Sequence, residues 1–383
     1  MLRRQRIKAD SNPFVFAQPL EPDELVDREE ELALMTERVR DGVNTRLSSP
    51  RDYGKTSLLQ RAVVDARAAG TGAVLVDLYG ARTAGQMAAQ IERAYEALPA
   101  SPLRKAHEAL RKRGASLGVQ TPVGGATLSI GAGEVGERAL LDALDLPLLL
   151  HERTGNPLLV VFDEFQVVLQ AQLDALVRSV IQHHGRGVTY VFSGSHPGMM
   201  LSLFADRRRP FYGQAAPMQL DRLPREALAS YVDERFEESG RDAGEALAWL
   251  LDLVDGHPQR AMLFAHLLWR HTAPGESAGE QAWTAAHVEA WDYLRGDFEA
   301  TWDSFSRIEA GVVEALAAGV RGLTGKAARE IFGLPAGSAA PDAAKRLVGA
   351  GLLREVEEEK GALELVDPVF ARWVLAGRRW ALG

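Results

Sequence analysis

The sequence predicts an α/β protein: a parallel sheet covered by helices on both faces, then a helical segment, then a small C-terminal domain. Three observations predict it. Short apolar runs alternate with helical patterns over the first 215 residues, the signature of parallel strands joined by crossover helices. One of those strands runs into a turn and a helix through Gly54-Lys55-Thr56, and another ends in Asp163-Glu164. From about residue 216 the strand signals fade and helical spacing takes over.

In order, residues 1–30 read as irregular, with Pro13, Pro19 and Pro22 as breakers. Leu32, Met35 and Val39 fall at helical spacing and predict a helix from Arg28 to about Arg40. Asn44–Leu47 is a short strand. After the turn at 48–54, a helix runs from Lys55 to about Ala69 on the stripe Leu58, Leu59, Ala62, Val63, Ala66, and glycines 70 and 72 stop it. Ala73–Asp77, Leu158–Phe162 and Val188–Phe192 are nearly all apolar, as strands buried on both faces are. Helical patterns fill 83–98, 102–113, 137–152 and 168–184, and Val119–Ile130 reads as a hairpin insertion. Helices follow at 225–239, 244–254, 258–269 and 285–293. The last segment has helices at 306–318, 324–331 and 340–350, then strands at 352–356 and 362–366. Three helices and a hairpin outline a winged helix-turn-helix. The expected division is a core over 1–215, a helical segment over 216–300 and a winged-helix domain over 301–383.

Composition bounds the function. At 383 residues the chain is long enough for two or three domains. A net charge of −8 gives no global basic field for nucleic acid. The absence of cysteine excludes disulfides, thiolate zinc sites and thiol catalysis. No stretch of about 18 uncharged apolar residues exists, so no membrane contact is expected. Nothing resembles a signal peptide, and a cytoplasmic location is the expectation.

The strongest local signal is Ser49-Pro50-Arg51-Asp52-Tyr53-Gly54-Lys55-Thr56, followed by Ser57. It follows the P-loop pattern, G-x-x-x-x-G-K-[ST], between a strand and a helix, with serine in place of the first glycine. Backbone N–H groups at a helix N-terminus face phosphates, and the helix dipole favours their charge. Gly54 allows the close bend, Lys55 supplies a compact positive charge for the β- and γ-phosphates, and Thr56 offers a hydroxyl to Mg²⁺. Read alone, the segment is also a helix start that carries Gly-Lys-Thr. Leu158–Phe162 followed by Asp163-Glu164 strengthens the phosphate reading. Acids at the end of a buried parallel strand face the crevice where α/β ligands bind. Asp163 would hold the metal shell and Glu164 would act as general base on water. Val188–Phe192 ends in Ser193-Gly194-Ser195-His196. Ser193 is the candidate γ-phosphate sensor and Ser195 its alternative; an ordinary polar turn explains the segment equally well. The implied fold is a P-loop NTPase core followed by the helical segment and the C-terminal winged helix, and the implied ligands are ATP or ADP with Mg²⁺.

With these segments in place, the sequence resembles the archaeal-type ATPases of the STAND class, relatives of the AAA+ origin-recognition ATPases. The matching pieces are Asn12-Pro-Phe14, Val26-Asp-Arg-Glu29, Arg51–Leu58, Val76-Asp-Leu-Tyr79, Phe162-Asp-Glu-Phe-Gln166, Ser193-Gly-Ser195, Pro210-Phe-Tyr-Gly213, Gly256-His-Pro258 and Asp367–Trp373. The resemblance implies an α/β P-loop NTPase core, a helical lid over 216–300 and a C-terminal winged helix, and that Val26–Glu29, with Arg28, packs near adenine. It also implies that Gly256-His257-Pro258 touches the nucleotide and that Arg260 reaches phosphate. Three positions depart from the family: Ser49 and Asp27 replace glycines, and Gln214 replaces an arginine of the arginine-finger type, for which Arg207, Arg208 and Arg209 are nearby substitutes or, read at least as readily, a solvated basic turn.

The winged helix suggests DNA, but its residues do not favour it. The expected recognition helix, 340–350, carries only Lys345 and Arg346, and the wing carries Glu355, Glu357, Glu358 and Glu359, which phosphates repel. Basic clusters at Arg3, Arg4, Arg6, Lys8 and at Arg104, Lys105, Arg111, Lys112, Arg113 read first as solvated faces. The nine histidines show no metal spacing. The resulting expectation is a slow, Mg²⁺-dependent ATPase acting as a nucleotide-driven switch, with a protein partner or self-association favoured over DNA. The alternatives are a non-catalytic nucleotide-bound adaptor and a DNA-transaction ATPase.

Overall fold

The computed structural model of the chain describes residues 11–116, 132–356 and 361–380. The expected hairpin at 119–130, the acids 357–359 and the basic cluster at residues 3–8 lie outside the described residues, as do the side chains of Arg111, Lys112 and Arg113.

The elements run α1 (Glu29–Asp41), β1 (Thr45–Ser48), α2 (Lys55–Ala68), β2 (Gly72–Asp77), α3 (Ala84–Glu96), α4 (Pro102–Ser116), α5 (Ala132–Thr154) and β3 (Leu158–Asp163). Then come α6 (Val167–Gln170), α7 (Asp174–Ile181), β4 (Val188–Gly194), α8 (Pro197–Ala205) and β5 (Ala216–Met218). All five strands pair in parallel, in the order β2-β3-β4-β1-β5. The two innermost strands of the β2–β4 half, β3 and β4, are buried at every position.

Strand alternation explains how both faces are covered. Leu158, Val160, Phe162, Tyr190 and Phe192 point to one face, where they join α3, α5 and α7 residues in one core. Their neighbours Leu159, Val161 and Val191 point to the other, where Met35 of α1 and Leu58, Leu59 and Val63 of α2 meet them. A period of two in a strand buried on both sides requires this split.

The second half contains α9 (Arg225–Glu238), α10 (Ala246–Val254), α11 (Pro258–Arg270), α12 (Glu280–Asp303), α13 (Arg307–Ala317), α14 (Lys326–Phe332) and α15 (Ala339–Gly349). The antiparallel pair β6 (Leu353–Glu355) and β7 (Leu363–Leu365) follows, then α16 (Pro368–Leu375). One continuous core runs through all these helices and takes in Phe14 and Val26 from the N-terminal segment.

Several expectations need correction. The helix expected over 168–184 is two helices, broken where Gln172 takes a left-handed φ of 56°. The helix expected over 285–293 runs from Glu280 to Asp303, because its buried face continues through Ala282, Trp283, Ala286, Ala290, Leu294 and Phe298. β5 follows residue 215, and α12 spans residue 300. α8 and α16 were not expected; each starts on a proline, Pro197 or Pro368, the residue type favoured at a first helical position. Among the described residues no helix is long and apolar enough to cross a membrane.

Candidate functional site

Because the sheet is parallel, the C-terminal ends of β1, β3 and β4 lie along one edge, and Ser48 of β1 sits beside Gly194 of β4. The loop after β1 turns back through two left-handed residues, Asp52 at φ 65° and Gly54 at φ 80°. Ser49 is not among the left-handed residues, so the backbone makes no demand for glycine there. Its hydroxyl is buried and accepts a hydrogen bond from the Leu220 N–H at 2.6 Å, tying the loop to the chain beyond β5. The departure from the P-loop pattern thus carries a structural role of its own. Asp27, the second departure, does adopt a left-handed φ of 44°; glycine and, less readily, Asp tolerate that region.

Lys55 is buried, and its ammonium donates to the carbonyls of Ser49, at 2.9 Å, and Pro50. Burial pulls its pKa down to about 8, against the opposing pull of Asp163, Glu164 and Asp52. It is therefore mostly cationic at neutral pH and poorly hydrated, the state in which a phosphate gains most from contact with it. The Thr56 hydroxyl donates to Asp163 Oδ2 at 3.0 Å across a separation of 107 residues. Asp163 is raised by burial, with hydroxyls of Ser193 and Thr56 pulling the other way. Ser193 itself is fully buried beside Asp163, and its hydroxyl makes no hydrogen bond of good geometry. It does not line the cleft; Ser195 does. Of the two sensor candidates, only Ser195 reaches the site.

The cleft encloses about 360 Å³. Its polar end is lined by Arg51–Ser57, Glu164 and Ser195. Its other end is lined by the segment Val15–Leu20 together with Leu25, Val26, Leu223, Pro258 and Met262. That N-terminal segment is held at both ends. Asn12 Nδ2 donates to the His266 carbonyl on α11 at 2.9 Å, and the Leu20 N–H donates to Ser57 Oγ on α2 at 3.0 Å. Arg28 lines the cleft but spends its guanidinium on the Asp221 carbonyl at 2.6 Å and on Glu31 at 2.9 Å. A second pocket adjoins the first at Thr56, Tyr79 and Glu164 and adds Gln60, Asp77 and Asp163. Sequence reasoning assigned no role to Asp77 or Tyr79. The signal was present: Asp77 ends β2 in register with Asp163.

Pro258 and Gln259 reach the cleft, but Arg260 does not. Its guanidinium donates twice to Asp367 Oδ2, at 2.7 and 2.9 Å, at the start of α16. The arrangement ties Arg260 of α11 to the start of α16 and leaves it off the cleft. Arg208 pairs with Asp206, Arg209 with Asp174, and Gln214 accepts from Arg178 at 2.7 Å; none of these lines the cleft.

A cation here would have one carboxylate and one hydroxyl from the protein. Among the described residues no group of three or more His, Cys, Asp or Glu forms a cage. Hard oxygen donors in that number suit Mg²⁺, which keeps waters and takes the rest of its shell from substrate phosphates.

No family model and no curated protein matches the chain. Solved structures do. The Walker-type ATPase of Pyrococcus abyssi is 19% identical, with 94% of this chain and 99% of that one covered and a TM-score of 0.69. The ORC2 protein of Aeropyrum pernix, solved as ADPNP and ADP complexes, is 16% identical, with 94% and 95% covered and a TM-score of 0.57. At these identities the likeness is one of fold. The chain has the fold of origin-recognition-type P-loop proteins over nearly its whole described length.

Proposed function

We propose that this chain binds and hydrolyses ATP with Mg²⁺, in the manner of a STAND-type switch, with the C-terminal winged helix serving contacts to a protein. The observation that carries the reading is the Thr56–Asp163 contact with Glu164 beside it. It joins the phosphate cradle to the acidic strand end in space, as phosphoryl transfer to water requires. Lys55 and the backbone of 51–57 would hold the β- and γ-phosphates. Thr56 and Asp163 would hold Mg²⁺, which neutralises charge on the phosphate oxygens when bound. Glu164 would accept the proton of the attacking water.

The apolar end supports adenine over guanine. Guanine presents two donors, at N1 and N2, on one edge, which carboxylates satisfy. Val15–Leu20, Leu25, Val26, Leu223, Pro258, Gln259 and Met262 include none.

The seam behind the loop supports the switch. Tyr53 is fully buried, its hydroxyl donates to the Val366 carbonyl at 3.2 Å, and its ring meets His257 edge-on at 5.1 Å. One loop residue thus touches both the lid and the C-terminal segment. A nucleotide-locked adaptor would use the same seam, and turnover separates the two readings. DNA is less favoured, because α15 packs on α8: a Cβ on Gly198 would stand 2.6 Å from the Gly349 Cα.

The test is phosphate release from MgATP by wild type, Lys55→Ala and Glu164→Gln, with analysis of co-purified nucleotide. Slow turnover lost in both variants, with Glu164→Gln still binding ATP, is the expected result. Tightly held nucleotide without turnover moves the adaptor reading ahead. Neither binding nor turnover removes the proposal altogether.

A further inference from the structure

Glu164 follows a fully buried strand, yet it stands at a left-handed φ of 56°. A side chain with a Cβ is strained there and keeps the conformation only where its surroundings fix it. The surroundings are specific. Oε2 of Glu164 accepts a hydrogen bond from Ser195 Oγ at 2.8 Å and a second from Gln166 Nε2. Both donors are enclosed, at 3% and 4% exposure for Gln166 and Ser195. His196 Nδ1 lies 3.3 Å from each of them. Burial, with Arg51 adding to it, holds His196 below its usual pKa, so the neutral ring can accept.

The amide orientation of Gln166 is forced. An ionised carboxylate only accepts, so Nε2 must face it. Oε1 is then driven into the wall at Gly194, where it is buried without a partner and 2.6 Å from where a Cβ would lie. A buried unpaired carbonyl is costly, and Gly194 is the residue that leaves room for it. The turn is fixed to the neighbouring strand as well: the Phe165 N–H donates to the Ser193 carbonyl at 2.8 Å.

We infer that Gln166 and Ser195 are positioning residues that clamp Oε2 of Glu164 and so present Oε1 to the attacking water. The inference rests on the reading of Glu164 as the general base. Ser195 then acts through Glu164 and not as a direct phosphate sensor. In the step itself, water oxygen attacks the γ-phosphorus, the bond to the β–γ bridging oxygen breaks, ADP leaves, and the water proton passes to Oε1. The clamp changes neither the phosphate contacts nor the proton balance; it fixes which oxygen is free.

The experiment is steady-state kinetics with MgATP and displacement of a fluorescent ADP analogue, on the full chain, for Gln166→Leu, Ser195→Ala, Ser195→Thr and Glu164→Gln. Misplacing a reacting group by an ångström costs up to about a hundredfold, so kcat is expected to fall roughly 10- to 100-fold in Gln166→Leu and Ser195→Ala. KM and ADP affinity should stay within about twofold, the mark of an interaction that matters only in the transition state. Ser195→Thr, which keeps the hydroxyl, should recover most of the loss. The double variant Gln166→Leu with Ser195→Ala should fall no lower than Glu164→Gln, as groups acting through one residue do. Losses that appear in ADP affinity, a Ser195→Thr no better than Ser195→Ala, or near-normal turnover in both single variants each overturn the clamp. If wild type turns over and Glu164→Gln does not, such a result sinks the clamp alone. If Glu164→Gln is as active as wild type, the assignment of the base falls first and the clamp with it.

Discussion

The loop from Ser49 to Gly54 has two sides built from opposite materials. The cleft side carries charge that the protein only partly satisfies: a buried Lys55 with a lowered pKa, and a buried Asp163 with a raised one. The far side is packed and paired. Tyr53 is closed in by His257 and Val366, Arg260 is bonded to Asp367, and Arg222 bonds the Leu365 carbonyl at 3.0 Å and Asp255. Arg354 joins Asp221 at 2.9 Å and Glu364 at 2.6 Å in the same seam. Two sides of a six-residue loop therefore differ in what they are for. One holds charges at a cost to stability, as binding and catalytic sites commonly do. The other turns the loop into a joint between three parts of the chain.

That contrast predicts opposite responses to substitution. Asp163→Asn, on the cleft side, should lower Mg²⁺-dependent turnover by about a hundredfold or more, the scale of losing one transition-state electrostatic contact. Its resistance to urea should hold or rise, since burial disfavours the ionised carboxyl it removes. Arg260→Ala, on the far side, should cost about 3 kcal/mol of stability, because it strands a mostly buried Asp367. The Arg260–Asp367 side chains are only 11% and 18% exposed, so solvent screening removes little of this. Urea unfolding of both variants with turnover measured in parallel checks the pair. A stability loss in Asp163→Asn that matches Arg260→Ala would erase the distinction.

The same contrast separates what could be read in the sequence from what could not. β3 and β4 were legible because a strand buried on both faces must be a continuous apolar run, and Leu158–Phe162 and Val188–Phe192 are such runs. β5 was not: three residues with Pro217 among them give no pattern. The polar end of the cleft was legible because Ser49–Ser57 is contiguous and its residue types follow a fixed pattern. The apolar end was legible only in part, since Val15–Leu20 has no periodic pattern and is placed by the bond of Asn12 to His266 and of Leu20 to Ser57. The seam was illegible. Nothing local to Tyr53 announces a carbonyl 313 residues away, and Arg260 beside Gly256-His-Pro258 resembles a ligand contact until Asp367 is seen next to it. Where chemistry fixes residue type at fixed spacing, sequence suffices. Where tertiary packing selects a partner, it does not.

A second, smaller effect sharpens the comparison through pH. His257 caps α11, accepting from the Arg260 N–H at 3.4 Å, and is buried. Burial pushes its pKa down to about 3, with Asp367 opposing. Between that value and the ordinary histidine value near 6.5, the unfolded chain binds the proton and the folded one does not, so stability falls as pH falls. From about pH 7 to about pH 5 the share of His257 comes to about 2 kcal/mol. His287, lowered to about 4 by burial and then by Arg372, contributes in the same direction. His257→Asn keeps an N-cap oxygen and removes the titration. Its stability should therefore decline less on acidification than that of wild type, by about 2 kcal/mol over the same interval. Urea midpoints of the two proteins at both pH values measure it; parallel slopes would place the pH sensitivity elsewhere.

The smallest expected effect asks whether the two sides are independent at all. Tyr53→Phe keeps the ring against His257 and deletes only the hydroxyl that donates to the Val366 carbonyl. One hydrogen bond to a buried carbonyl carries a net contribution of about 1 kcal/mol, and the carbonyl left behind adds to the cost. If the far side is only a structural joint, stability should drop by about that amount and turnover should change by less than about threefold. If the joint transmits nucleotide state, the same deletion should alter the rate of ADP release by more than its effect on stability would suggest. Tyr53 stands between two left-handed residues, Asp52 and Gly54, in a loop that bends directly into Lys55. A shift of its ring is therefore a shift of the loop that leads into Lys55. Stopped-flow release of a fluorescent ADP from wild type and Tyr53→Phe distinguishes the joint from the transmitter.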